Sequence, residues 1–176
     1  KENIDYVLLG HHKDDIVENI FANICRGRSY LDLAVIRDHT LISGINIGRP
    51  MLSYFKTTIY EFAEKYNIPY LKDTTPDWSV RGKYRKIVSP AIKNTFTENV
   101  KENLLYISNQ ADQWNEVIEN EIITPLLSTV KYDNLDTNRT AELNIEKYIN
   151  YPVAFWSVIF MKIYNKLGYK SPTKKG

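Results

Sequence analysis

At 176 residues the chain can bury a real core as one ordinary domain, or as a domain with an appendage. Its 43% hydrophobic and 25% charged residues are those of a globular protein, and a formal charge of +2 is too small to imply nucleic acid without a local basic cluster. The single cysteine, Cys25, rules out an internal disulfide framework, no Cys/His group has zinc-ligand spacing, and the most apolar stretch, Val153 to Met161, is far too short to span a bilayer.

In chain order, Ile4 to Gly10 (IDYVLLG) is a nearly continuous apolar run, as expected of a strand covered on both faces in a parallel sheet. It stops in GHHKDD. Asp15-x-x-Glu18 has the spacing of a helix cap, and Ile16, Ile20 and Ile24, with Val17 and Phe21, mark one face of a helix ending near Cys25 to Gly27. Thr40 to Gly48 predicts a second strand interrupted at Gly44, and Thr57 to Tyr66 a helix with Ile59, Phe62, Ala63 and Tyr66 on one side. Ile68 to Asp73 reads as a short strand or an extended entry to a loop. Strand, helix, strand, helix is the rhythm of an α/β layer.

After Pro90 the rhythm changes. Thr95-x-x-Glu98 reads as a capping box, and Val100, Leu104, Ile107, Ala111, Trp114, Ile118 and Ile122 sustain a long helical stripe. A polar stretch, Lys131 to Thr140, precedes a last helix with Pro152 near its start, Trp156, Ile159, Ile163 and Leu167 on one face, and Gly168 at its end. No strand is expected beyond Pro90. The predicted organisation is an α/β part at residues 1–90 followed by an all-α part at residues 91–176.

The lone cysteine points to a reducing, cytoplasmic setting, with an organelle left open. No signal peptide opens the chain, and no membrane partner is expected. Because Lys1 lies just before a strand with nothing to pair with it, the sequence reads as an excerpt of a longer protein. Asn138-Arg139-Thr140 matches a glycosylation acceptor and is taken as chance.

The chemistry gathers at the end of the first strand. In open parallel sheets ligands bind beyond the carboxyl ends of the strands, and the following helix offers free N–H groups to an anion. Asp14 and Asp15 could hold Mg²⁺ together with phosphate oxygens, with a histidine steadying a phosphate or moving a proton. Equally, the two acids could cap a helix, with His11 and His12 merely loop polars. Arg81 and Arg85 share a helix face, either as a solvated basic patch or as phosphate contacts, with Trp78 and Tyr84 nearby for stacking or for packing. Arg49 is either a substrate-facing group or a strand-end charge, and Arg26 either binds substrate or complements a helix C-terminus.

Four motifs carry a family resemblance. GHHKDDIVEN (Gly10 to Asn19) resembles the Gly-His-x-x-Asp-Asp-x-x-Glu-Thr signature of PP-loop ATP pyrophosphatases, and CRG at Cys25 to Gly27 resembles the Arg-Gly closing the next helix. GRPML (Gly48 to Leu52) resembles the Arg-Pro-Leu-Leu after the following strand. DTTPDWSVRGKYRKIVSP (Asp73 to Pro90) is similar to the tRNA(Ile)-lysidine synthetase pattern Asp-x-Ser-Asn, spacer, Arg-Asn-x-x-Arg, then Pro. SPTKKG (Ser171 to Gly176) is similar to that family's Pro-Ser-x-Lys segment.

The resemblance implies a Rossmann-like PP-loop fold and a ligase. Such enzymes use Mg-ATP to adenylate the C2 oxygen of an anticodon cytidine in tRNA(Ile), after which the ε-amine of free L-lysine displaces AMP to give lysidine. On this resemblance Asp14, Asp15 and His11 are the catalytic candidates, Asp14 and Asp15 the Mg²⁺ ligands, and Gly10, His11, Asp15 and Arg26 the ATP contacts. Arg49, Asp73, Arg81 and Arg85 would face the tRNA anticodon loop, and a homodimer is left open.

Departures accompany the match. Asn19 replaces the motif threonine, Pro76 and Gly82 stand in place of asparagines, and the spacer before Arg81 is short. No Ser-Gly-Gly-x-Asp-Ser phosphate loop is found, since Ser43-Gly44-Ile45-Asn46 lacks the second glycine and the acid, so residues 1–176 alone are expected to be inactive. The rivals are a thiolating PP-loop enzyme of the 2-thiocytidine or thiouridine type, for which the cysteines are wanting, and a non-catalytic RNA-binding relic.

Overall fold

The apolar run ends as β1 (Tyr6–Leu8) and leads through a short turn into α1 (Lys13–Cys25). The computed structural model describes residues 6–71, 74–96, 99–135 and 138–169. Among these, Thr40 to Gly48 is not one interrupted strand but a hairpin, β2 (His39–Ile42) and β3 (Ile45–Gly48), with His39 opposite Gly48 and Ile42 opposite Ile45. The reason is the two-residue link: Ser43 and Gly44 both have positive φ, 51° and 82°, the combination that reverses a twisted antiparallel pair tightly.

The sheet order is β1-β3-β2, so among the described residues the one parallel pair is β1–β3, with Tyr6 opposite Asn46 and Leu8 opposite Gly48. β1 is not covered on both faces as its apolar run predicts: at the sheet edge, Tyr6 is 49% exposed and Leu8 67%. α2 (Lys56–Lys65) follows as expected, but Ile68 to Leu71 forms no strand, and Asp73 lies outside the described residues. A further helical run comprises α3 (Val80–Lys83), a π-helical turn at Tyr84–Val88 and α4 (Ser89–Thr95). Thr95 belongs to this run, its hydroxyl donating to the Ala91 carbonyl at 2.8 Å, instead of capping the next helix; Glu98 lies outside the described residues.

The long stripe forms α5 (Val100–Ile118), continued by a π-helical turn at Glu119–Ile123 and α6 (Thr124–Ser128). The chain divides into two compact units, residues 1–113 and 114–176, within α5. In the first, Ile20, Leu33, Ala34 and Ala111 are buried together, with Ile16, Leu104 and Leu105 against them.

The second unit corrects the all-α expectation. β4 (Lys131–Leu135) and β5 (Asn138–Glu142) pair antiparallel before α7 (Val153–Lys166). Tyr132 and Ala141 stand opposite each other and pack on the core of Ile123, Leu126, Val130, Ile159, Ile163 and Leu167. The hairpin exists because that core supplies an apolar floor for one of its faces. Arg139 Nη1 donates to the Leu167 carbonyl at 2.8 Å, satisfying the C-terminal end of α7. No described helix is long and apolar enough to cross a membrane, and the Ser171–Gly176 motif lies outside the described residues.

Candidate functional site

α1 starts three residues earlier than the Asp15-x-x-Glu18 cap predicts. His12 is the N-cap, and its backbone N–H donates to Asp15 Oδ2 at 2.9 Å. Glu18 therefore sits one turn into the helix, on the face it shares with Asp15, and is released from capping.

That face meets the basic cluster. Arg81 Nη2 and Arg85 Nη2 both donate to Asp15 Oδ1, the latter at 3.0 Å. Arg81 Nε lies 2.8 Å from Glu18 Oε1, and Arg85 Nε lies 3.0 Å from Glu18 Oε2. Two acids three residues apart thus face two arginines four apart, one helical turn matching another. Asp15 is 5% exposed, and arginine is the cation suited to hold a carboxylate so far from water.

The loop before Arg81 explains two departures from the family pattern together. Ser79 Oγ accepts the Gly82 N–H at 2.9 Å and donates to the Pro76 carbonyl at 2.7 Å, fastening the loop onto the first turn of α3. A Cβ on Gly82 would lie 2.1 Å from that carbonyl oxygen, so the approach requires glycine. Lys86 pairs with Asp77 across the same loop.

Asp14 turns to other partners. Its Oδ2 accepts the Lys56 N–H at the start of α2, at 2.8 Å, and its Oδ1 pairs with Lys101 Nζ from α5. Burial pushes its carboxyl up, but the hydrogen bonds from Lys101 and from the Lys56 backbone outweigh that and hold it below the usual aspartate value. The His12 imidazole stands between the acids, Nδ1 at 3.7 Å from Asp14 Oδ2 and Nε2 at 3.5 Å from Asp15 Oδ2. Burial lowers its pKa, partly offset by those two carboxylates.

Of the residues singled out in the sequence, His11, Asp15, Arg26 and Arg81 line one cavity of about 600 Å³, with Glu18 and Tyr84. His11 Nδ1 is buried there without a hydrogen-bond partner among the described residues. Gly10 lies in the turn before α1, where an added Cβ would make only ordinary contact with Met51. Arg49 does not join the cluster: its Nη1 donates to the Arg37 carbonyl at 2.6 Å and to Thr40 Oγ1 at 3.1 Å. Tyr84 packs on Phe21, ring centroids 5.2 Å apart, while Trp78 is 81% exposed. In the sequence Glu18 reads as a helix cap and as the motif glutamate, and His12 as a loop polar; Lys101 carries no signal there.

Asp14 and Asp15 offer the hard oxygens that Mg²⁺ prefers, but they do not form one cradle. Asp14 is directed to Lys101 and α2, Asp15 to the two arginines, and all four carboxylate oxygens are engaged. Among the described residues no group of three or more His, Cys, Asp or Glu side chains is arranged to hold a metal ion. Cationic side chains and backbone N–H groups are the partners of these oxygens in this arrangement.

Residues 1–92 match the PP-loop domain. The chain belongs to the PP-loop domain family. Beyond this PP-loop portion the likeness extends to curated relatives. The tRNA(Ile)-lysidine synthase of Chlamydia muridarum is 29% identical over 126 residues, which is 70% of this chain and 39% of that protein. That of Staphylococcus aureus (strain MRSA252) is 27% identical over 157 residues, 88% of this chain and 36% of that protein. The chain therefore spans about two-fifths or less of the length of these relatives.

Proposed function

We propose that this chain is the portion of a tRNA(Ile)-lysidine synthase-type ligase that carries the second half of the ATP site, with residues 1–90 as catalytic domain and 91–176 as a largely helical extension. The observation that carries this reading is the pairing of Asp15 and Glu18 with Arg81 and Arg85, 63 to 70 residues apart in sequence. It joins the GHHKDD signature to the RGKYRK segment, the two motifs in which the family resemblance is densest.

The chemistry runs in two steps. The C2 oxygen of the anticodon cytidine attacks the α-phosphorus of ATP and releases pyrophosphate. The ε-amine of free lysine then attacks C2, and the C–O bond breaks with AMP as leaving group. Arg81 and Arg85 supply fixed positive charge where phosphoryl oxygens gain negative charge, and Asp15 and Glu18 hold both guanidinium groups in place. His11, which lines the same cavity and whose buried Nδ1 has no hydrogen-bond partner among the described residues, is the proton-handling candidate. Arg26 lines the same cavity, where it would meet ATP. Arg49 and Asp73 carry no role in this reading.

With one cysteine in the sequence, no observation favours thiolation. The test is incorporation of labelled lysine into tRNA(Ile), with AMP release, by the whole protein. Asp15→Asn should lower the rate by about a hundredfold or more through loss of the arginine geometry. Normal turnover in that variant, or no lysine incorporation by the wild type, would overturn the assignment.

A further inference from the structure

Residues of α1 line two cavities, and Tyr84 borders both. Asp15 faces the one described above. Asp14 faces a second, of about 550 Å³, whose wall includes Phe55, Tyr84, Lys93, Lys101 and Glu102. We propose that this second cavity is a subsite for one unpaired RNA nucleotide, its base against Phe55 and Tyr84 and its phosphate at Lys93 and Lys101. The inference rests on the tRNA reading and deepens it by giving the RNA a seat separate from the Asp15 face.

Size and chemistry agree. A cavity of this volume suits a nucleotide-sized ligand. Aromatic faces beside ammonium groups are how proteins hold single-stranded bases without reading sequence. Phe55 is flanked by two such groups, Lys13 Nζ at 4.9 Å from the ring centroid and Lys101 Nζ at 5.8 Å. Asp14 is no bare charge here, since it pairs with Lys101 and accepts the Lys56 N–H. Lys101 has three N–H donors, and its side chain is 44% exposed, so it can hold Asp14 and a phosphate oxygen together.

A phosphodiester fits better than a triphosphate. Glu102 shares the wall, and a carboxylate opposes the concentrated charge of a polyphosphate more than the single charge of an RNA linkage. Lys93, Lys101 and Glu102 also lie beyond residue 92, where the PP-loop match ends. The Staphylococcus aureus relative, named for tRNA(Ile), matches over 88% of the chain, and so beyond that point.

The test is fluorescence anisotropy of a labelled five-nucleotide single-stranded RNA titrated with the chain, with circular dichroism confirming that each variant is folded. Lys101→Met should weaken binding about fivefold and reduce the salt dependence by about 0.7 in the log–log slope, and Lys101→Arg should restore both. Phe55→Leu should weaken binding about fivefold or more without changing that slope. A merely structural role for either residue would not split the two readouts.

Wild-type affinity in both variants, no RNA binding by the wild type, or full displacement of the RNA by ATP would overturn the subsite. Lysidine formation is not read in this titration. If the ligase reading fails while RNA affinity still depends on Lys101 and Phe55, the subsite stands. An active ligase whose RNA affinity ignores both substitutions loses the subsite alone.

Discussion

The two units hold themselves together in different ways. Residues 114–176 close around six buried aliphatic side chains from three helical segments, the C-cap of α7 and the residue before β4, with a hairpin laid against them. Residues 1–113 bury a smaller cluster, two of whose four members are alanines, and place beside it an ionic lattice joining α1 to the segment from Val80 to Val88. Burial of apolar area is not weakened by ionic screening or mild acid, whereas ion pairs answer to both. The unit that carries the candidate chemistry is thus the one whose structure responds to its solution.

The largest expected effect strikes the apolar unit. Ile159 is fully buried, and Ile159→Ala should cost about 2–5 kcal/mol, read as a shifted denaturation midpoint with little dependence on salt. In the ionic unit, Asp15→Asn strips a shared partner from Arg81 and Arg85. Since Arg81 is 44% exposed and Arg85 21%, the cost should be nearer about 1–3 kcal/mol than the value for a wholly buried pair, and it should shrink in high salt. Equal salt response in the two variants would erase the contrast.

Acid sharpens it further. His12 has a folded pKa below its ordinary 6.5, so between the two values the unfolded chain binds the extra proton. Its contribution to stability is present above 6.5 and is lost as pH falls through the lower, folded value. Asp14 behaves alike in a more acidic window, its contribution present above 3.8 and lost below its depressed folded value. Denaturation followed against pH should show the first loss flattened in His12→Gln and the second in Asp14→Asn. Unaltered profiles would contradict the burial of His12 and the hydrogen bonds that Asp14 accepts.

The smallest effect belongs to the exposed bidentate pair of Arg37 and Asp112, at 2.6 and 2.8 Å. Arg37 is about half exposed, so Arg37→Ala should cost no more than about 1 kcal/mol in thermal melting.

What the sequence made legible follows from range. α1, α2 and α7 are written in local periodicity, and each forms close to its predicted span. The β2–β3 hairpin was misread because a two-residue link within an apolar run looks like an interruption. The β4–β5 hairpin was invisible because its apolar members, Tyr132 and Ala141, find their floor on residues such as Ile159 and Ile163, far along the chain. At the site, Asp15, Arg81 and Arg85 could be singled out by motif, but their mutual pairing could not. Lys101 reaches Asp14 across 87 residues, a distance over which no local pattern speaks.

The loop at Pro76 constrains how this lineage can change. Because its carbonyl occupies the space any side chain at 82 would need, the two positions are not independent. A homologue bearing asparagine at the second site must thread its preceding segment along another path. The guanidinium groups that follow would then inherit a different starting point, so a swap imported from such a cousin has to arrive as a whole cassette.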